Sequence, residues 1–229
     1  MKLAGLIKSS TLDYPGSLCA VLFFSGCNYD CFYCHNRDIL HGPGIDMEVN
    51  EALAFLKKRQ GLLDAVVLSG GEAALRAELC ELARTIKDMG YKIKLDTNGS
   101  LPAAVANMLD AGTIDYVALD YKAPWNRYRE IAGKNAEPER VKETLKLLFD
   151  AQIPFEMRTT VIPQLQLDDI LSMAQDIPPL PRYVLNAYRM PKSYREEDLF
   201  RLKRAPHTPE TIRDFALAIQ PYQPNVLAY

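Results

Sequence analysis

Seven successive residues, Leu18-Cys19-Ala20-Val21-Leu22-Phe23-Phe24, offer no polar face to water. A strand of this kind must be covered on both sides, the condition of parallel strands in α/β folds. Further short apolar or β-branched runs follow at Ala65 to Leu68, Lys92 to Asp96, Tyr116 to Asp120, Phe155 to Ile162 and Tyr183 to Ala187. Helical patterns fall between them. In the clearest, Leu75, Leu79, Leu82, Ile86 and Met89 recur at steps of three and four, and Gly90 ends the run as a cap. Others open with a proline near the first turn, at Pro102, Pro138 and Pro209, the last preceded by Thr208 as N-cap. The alternation predicts about six βα units in one α/β domain spanning residues 1–229.

The chain has 229 residues, 48% of them hydrophobic, enough for one sizeable core. A net charge of −2 argues against a general nucleic-acid-binding surface, and no apolar run reaches membrane-spanning length. From Met1 to Gly26, early Lys2 and Lys8 precede an apolar pattern broken by Asp13, Pro15 and Gly16, which is no secretory signal. With an odd count of five cysteines, the expectation is a reduced, cytoplasmic protein rather than a disulfide scaffold. A basic stretch, Arg182, Arg189, Lys192, Arg195, Arg201, Lys203 and Arg204, is offset by Glu196, Glu197 and Asp198. Such a stretch is a solvated face or a docking surface.

Cys27, Cys31 and Cys34 follow the first strand. A C-x-x-x-C-x-x-C loop can wrap three thiolates around one face of a [4Fe-4S] cluster, whereas clusters kept for electron transfer usually have four. Cys19 and Cys80 lie in segments that read as buried strand and helix, so one iron is left open to a ligand that is not protein. The alternative is a zinc knuckle completed by His35 or His41, although zinc ligands usually come as two separated pairs. Ligands of parallel α/β folds sit at the carboxyl ends of the strands. There this chain carries Ser69-Gly70-Gly71-Glu72, Asp96-Thr97-Asn98-Gly99, Asp120-Tyr121-Lys122, Arg158-Thr159-Thr160 and Asn186-Ala187-Tyr188-Arg189.

The cysteine loop with an aromatic residue before its last cysteine, followed by a Gly-Gly-Glu turn, resembles the radical S-adenosylmethionine superfamily. Tyr33-Cys34-His35-Asn36 and Leu95-Asp96-Thr97-Asn98-Gly99 are similar to segments of its glycyl-radical-enzyme activases. So, in order, are Asp13-Tyr14-Pro15-Gly16, Asp120-Tyr121-Lys122-Ala123-Pro124 and Arg158-Thr159-Thr160-Val161-Ile162-Pro163. Taken together they most resemble the activators of anaerobic ribonucleoside-triphosphate reductase. The resemblance implies a partial (βα)6 TIM-like barrel open on one side. It also implies a [4Fe-4S] cluster on Cys27, Cys31 and Cys34 whose open iron is chelated by S-adenosylmethionine, cleaved reductively to methionine and a 5'-deoxyadenosyl radical. No side chain is then required as acid, base or nucleophile.

Further roles come with the resemblance. Tyr33 packs near the adenine, Gly70 and Gly71 admit the methionine end, and Glu72 accepts from its ammonium group. His35 and Asn98 belong to the cofactor-binding segments. Asp96, Thr97 and Asp120 lie near the methionine carboxylate and can hold a monovalent cation, while Lys122 and Arg158 balance charge. Two departures stand out: Ala73 replaces the family's proline after Gly-Gly-Glu, and Arg189 stands where pyruvate formate-lyase activases carry histidine. The expected function is hydrogen abstraction from a backbone glycine of a partner, a glycyl-radical enzyme, expected to be anaerobic ribonucleoside-triphosphate reductase. A flavodoxin- or ferredoxin-type donor would supply electrons. The runners-up are a radical enzyme acting on a small molecule, of the 7-carboxy-7-deazaguanine synthase type, and a pyruvate formate-lyase-type activase.

Overall fold

The computed structural model describes residues 1–40 and 47–229, so His41, one alternative zinc ligand, lies outside the described residues. Among these the strands are β1 (Lys2–Leu3), β2 (Gly5–Ser10), β3 (Cys19–Phe24), β4 (Met47–Glu48), β5 (Ala65–Gly70), β6 (Lys92–Thr97), β7 (Tyr116–Asp120), β8 (Phe155–Val161), β9 (Tyr183–Ala187) and β10 (Val226–Ala228). The fold is α/β, its central sheet is mostly parallel and the sheet is not closed, as expected of a partial barrel. By their contacts the residues form two compact units. One comprises Met1–Asn28, Asn36–Ala118 and Arg140–Pro154, the other Tyr29–His35, Leu119–Glu139 and Phe155–Tyr229.

In the first unit the strand order is β2-β3-β5-β6. β3 and β5 run parallel from Cys19 opposite Ala65 to Phe24 opposite Gly70. Every β3 residue except Phe23 is buried, which is why its sequence has no polar position. Tyr14, Cys19, Val21, Ala65 and Val67 form one core cluster, with Phe23 and Tyr116 packed against it. β2, absent from the sequence-based strands, pairs antiparallel with β3, and its mixed burial hid it. The expected helix from Leu75 is shorter. It spans Leu79–Asp88, while Leu75 belongs to a separate 3-10 turn, Ala73–Leu75, and is exposed. The Glu72 carboxylate accepts from Ala74 N and caps that turn, and Arg76 then turns extended, so one continuous helix cannot form.

In the second unit β8, β9 and β10 are parallel neighbours. β10 went unseen because three residues carry no alternation to read. The helix Pro209–Ile219 begins as expected, the Thr208 side chain accepting from Thr211 N. Tyr121, Trp125 and Tyr128 stack together, with ring centroids 4.4 Å apart for Tyr121 and Trp125 and 5.5 Å for Trp125 and Tyr128. None of the described helices is long and apolar enough to cross a membrane.

Candidate functional site

In the first unit, the turns after β3, β5 and β6 are laced together. Gly70 has φ +121°, and a Cβ there would stand 2.4 Å from Phe24 N and O. At Gly71 a Cβ would come within 1.9 Å of Gly26 O. Only glycine can therefore occupy these positions. The close approach they allow is to the chain's own backbone: Gly71 N donates to Phe24 O and Glu72 N to Gly26 O, each at 2.9 Å. Glu72 is fully buried. Its Oε1 accepts from Thr97 Oγ1 at 2.8 Å and its Oε2 from Asn98 N at 2.7 Å, so it joins the β5 turn to the end of β6.

Asn98 connects this frame to the cysteine segment. Its Nδ2 donates to Asn28 Oδ1 at 3.0 Å and points at Cys27 Sγ, 3.7 Å away, and its Oδ1 accepts from Ser100 N. Asn36, past the last cysteine, donates to Gly70 O at 2.7 Å. Asp96, expected with Thr97 and Asp120 to be able to hold a monovalent cation, lies at the end of β6. It accepts from Ser69 Oγ at 3.0 Å and pairs with Lys94, whose Nζ lies 3.1 Å from Oδ1 and also donates to Asp13 O at 2.6 Å. Lys94, Asn28 and Ser100 were not among the sequence-based candidates. A lysine inside the otherwise apolar stretch Ile93 to Leu95 was the one signal that could have marked Lys94.

In the second unit, Asp120 Oδ2 lies 3.1 Å from Lys122 Nζ and Oδ1 lies 3.1 Å from Arg158 Nη2. Burial pushes the Asp120 carboxyl up, but these two cations outweigh it and hold the group below the usual carboxylate range. Asp120 thus ties the loop after β7 to β8. Lys122 feels the Cys31 thiol and the Tyr33 hydroxyl, and Tyr33 is buried against Phe32, ring centroids 5.3 Å apart. His35 is brought to Arg189, with which it shares a backbone hydrogen bond. Burial, reinforced by the Arg189 charge, lowers its pKa.

Among the described residues no three His, Cys, Asp or Glu side chains gather as around a single metal ion. The donor chemistry nonetheless fits a thiolate-held cluster: an amide N–H is aimed at the Cys27 sulfur and Lys122 interacts electrostatically with Cys31, as donors and cations do around sulfur ligands. Cys19 is the contrast. Fully buried, its thiol is pushed up to about 11, chiefly by burial and then by Asp13.

The sequence model of the Radical SAM superfamily matches residues 21–177, more than half of the chain. A Methanocaldococcus jannaschii protein, named by inference as a glycyl-radical enzyme activating enzyme, is 31% identical over 98% of this chain and 94% of its own length. The AdoMet-dependent heme synthase of Methanosarcina barkeri is 29% identical over 60% of this chain and 40% of its own. Among solved structures, Streptococcus suis SuiB bound to S-adenosylmethionine superposes with a TM-score of 0.70 over 91% of this chain and 51% of its own, at 13% identity, a likeness of fold.

Proposed function

Because this chain belongs to the radical S-adenosylmethionine superfamily, whose cofactors are a [4Fe-4S] cluster and S-adenosylmethionine, we propose that it activates a glycyl-radical enzyme, with Cys27, Cys31 and Cys34 holding the cluster. The observation that carries the activase reading is the end-to-end similarity to the M. jannaschii protein; the heme synthase matches over only part of either chain. When bound, the cluster supplies the electron that splits the sulfonium into methionine and a 5'-deoxyadenosyl radical.

The chain's own residues bind and orient. Gly70, Gly71 and Gly26 close a turn that would frame the methionine end of S-adenosylmethionine. Glu72 fixes Thr97 and the Asn98 backbone, and Asn98 in turn donates toward Cys27. Lys122 and Arg158 hold Asp120 ionised and fix the two strand ends it joins. Tyr33 offers an apolar ring, and His35 with Arg189 forms a polar edge. Lys94 already supplies positive charge to Asp96, so this reading needs no monovalent cation there.

The test is anaerobic reconstitution with iron and sulfide, then addition of dithionite or reduced flavodoxin, S-adenosylmethionine and an anaerobic ribonucleoside-triphosphate reductase. The expected result is 5'-deoxyadenosine together with a glycyl-radical doublet in the electron paramagnetic resonance spectrum of the reductase. Cleavage without a radical on this or any other glycyl-radical enzyme would refute the activase assignment and favour a small-molecule substrate.

A further inference from the structure

The basic stretch late in the sequence meets the cysteine segment inside the second unit. Arg195 Nη1 donates to the Asp30 carboxylate, and Arg195 Nε donates to Asp198 at 2.7 Å. The Arg201 guanidinium lies over the Phe32 ring, 3.7 Å from its centroid, and its Nη2 donates to Glu130 O at 3.0 Å. On the backbone side, Asp30 N donates to Ala132 O at 3.2 Å and the Cys31 thiol reaches the same carbonyl at 3.6 Å. Gly133, at φ +103°, lets that strand of chain come in: a Cβ there would stand 3.0 Å from Asp30 N. Asp30, Phe32, Gly133, Arg195 and Arg201 line one cavity of about 560 Å³. Four cationic side chains and three acidic ones face it, so its charge is nearly balanced and it is no trap for an anion.

We propose that Arg195 and Arg201 are positioning residues that clamp Asp30 to Phe32 and thereby fix Cys31. An ion pair on one side of Cys31 and a cation–π contact on the other hold the segment by two independent interactions, while the Ala132–Gly133 backbone closes the third side. Only the step from a fixed Cys31 to a well-held cluster rests on the function proposed above; the clamp belongs to the protein without cofactor.

Alkylation of the reduced apoprotein by N-ethylmaleimide, followed cysteine by cysteine by mass spectrometry, tests it in wild type, R195Q, R201L, the double variant and R195K. Cys31 should react faster in the double variant by on the order of tenfold, as loss of a charge-assisted contact implies. Each single variant should fall between, and Cys80 should keep its rate. R195K should recover part of the protection. In the reconstituted protein the same variants should release iron to a chelator faster and shift the g values of the reduced cluster. An unchanged Cys31 rate overturns the proposal, as does a uniform rise at Cys19, Cys31 and Cys80, which would mean general loosening. If the wild type takes up no cluster, the proposed function falls while the alkylation result still judges the clamp.

Discussion

Lys94 carries a charge into the interior with 2% of its side chain exposed. The ammonium is tolerated because the Asp13 carbonyl, the Asp96 carboxylate and, at 6.0 Å, the Tyr116 ring replace its water. Removing it takes the Lys94 cation from the buried Asp96 carboxylate. K94M should therefore lose about 3–5 kcal/mol in urea denaturation, the usual cost of breaking a buried pair; an unchanged midpoint would show that the pair contributes nothing. His35 makes a prediction in pH. Its folded pKa lies below the ordinary 6.5, so the unfolded chain takes up the proton first and stability falls as pH drops below about 6.5. H35N should flatten that slope between pH 7 and pH 5 in denaturation curves, and an equal slope in both proteins would count against it. At this scale the sequence was partly legible. Spacing marks the cysteines and the Gly-Gly-Glu turn, but which groups saturate Glu72, or that Arg195 reaches Asp30 across 165 positions, depends on packing no local pattern encodes.

Among the elements, the turn after β5 is the least replaceable. A methyl group at Gly71 would overlap the Gly26 carbonyl, a fixed backbone atom that cannot rotate away. G71A should cost at least the ~1–3 kcal/mol of an overpacked core, seen as a lower denaturation midpoint, whereas G90A should cost far less, since nothing lies within 4 Å of a Cβ there and only its positive φ resists. Equal losses would place the constraint in backbone conformation rather than in the close approach. The parallel strands were readable because both faces are apolar, and β7 and β9 fall on their sequence-based boundaries. The helix starts at Pro102, Pro138 and Pro209 were readable for a separate reason, since proline suits a first turn. What escaped was local competition: Glu72 caps a short turn and so delays the next helix to Leu79.

For the molecule as a whole, the repeated βα pattern led to an α/β fold, and the cysteine loop with the Gly-Gly-Glu turn led by resemblance to the superfamily and its unclosed sheet. Fold class and cofactor class are thus written in periodicity and in short motifs, while partner choice is not. C31S should leave the fold intact and abolish both iron loading and S-adenosylmethionine cleavage, measured by iron analysis and product chromatography; retained cleavage would disprove the ligand assignment. The interior position of Lys94 has one more consequence. An amine-acylating reagent should mark Lys146, 78% exposed, at the pace of the chemistry, but should reach Lys94 only when β6 is laid open. The ratio of the two labelling rates would serve as a clock for how often the surrounding structure breathes.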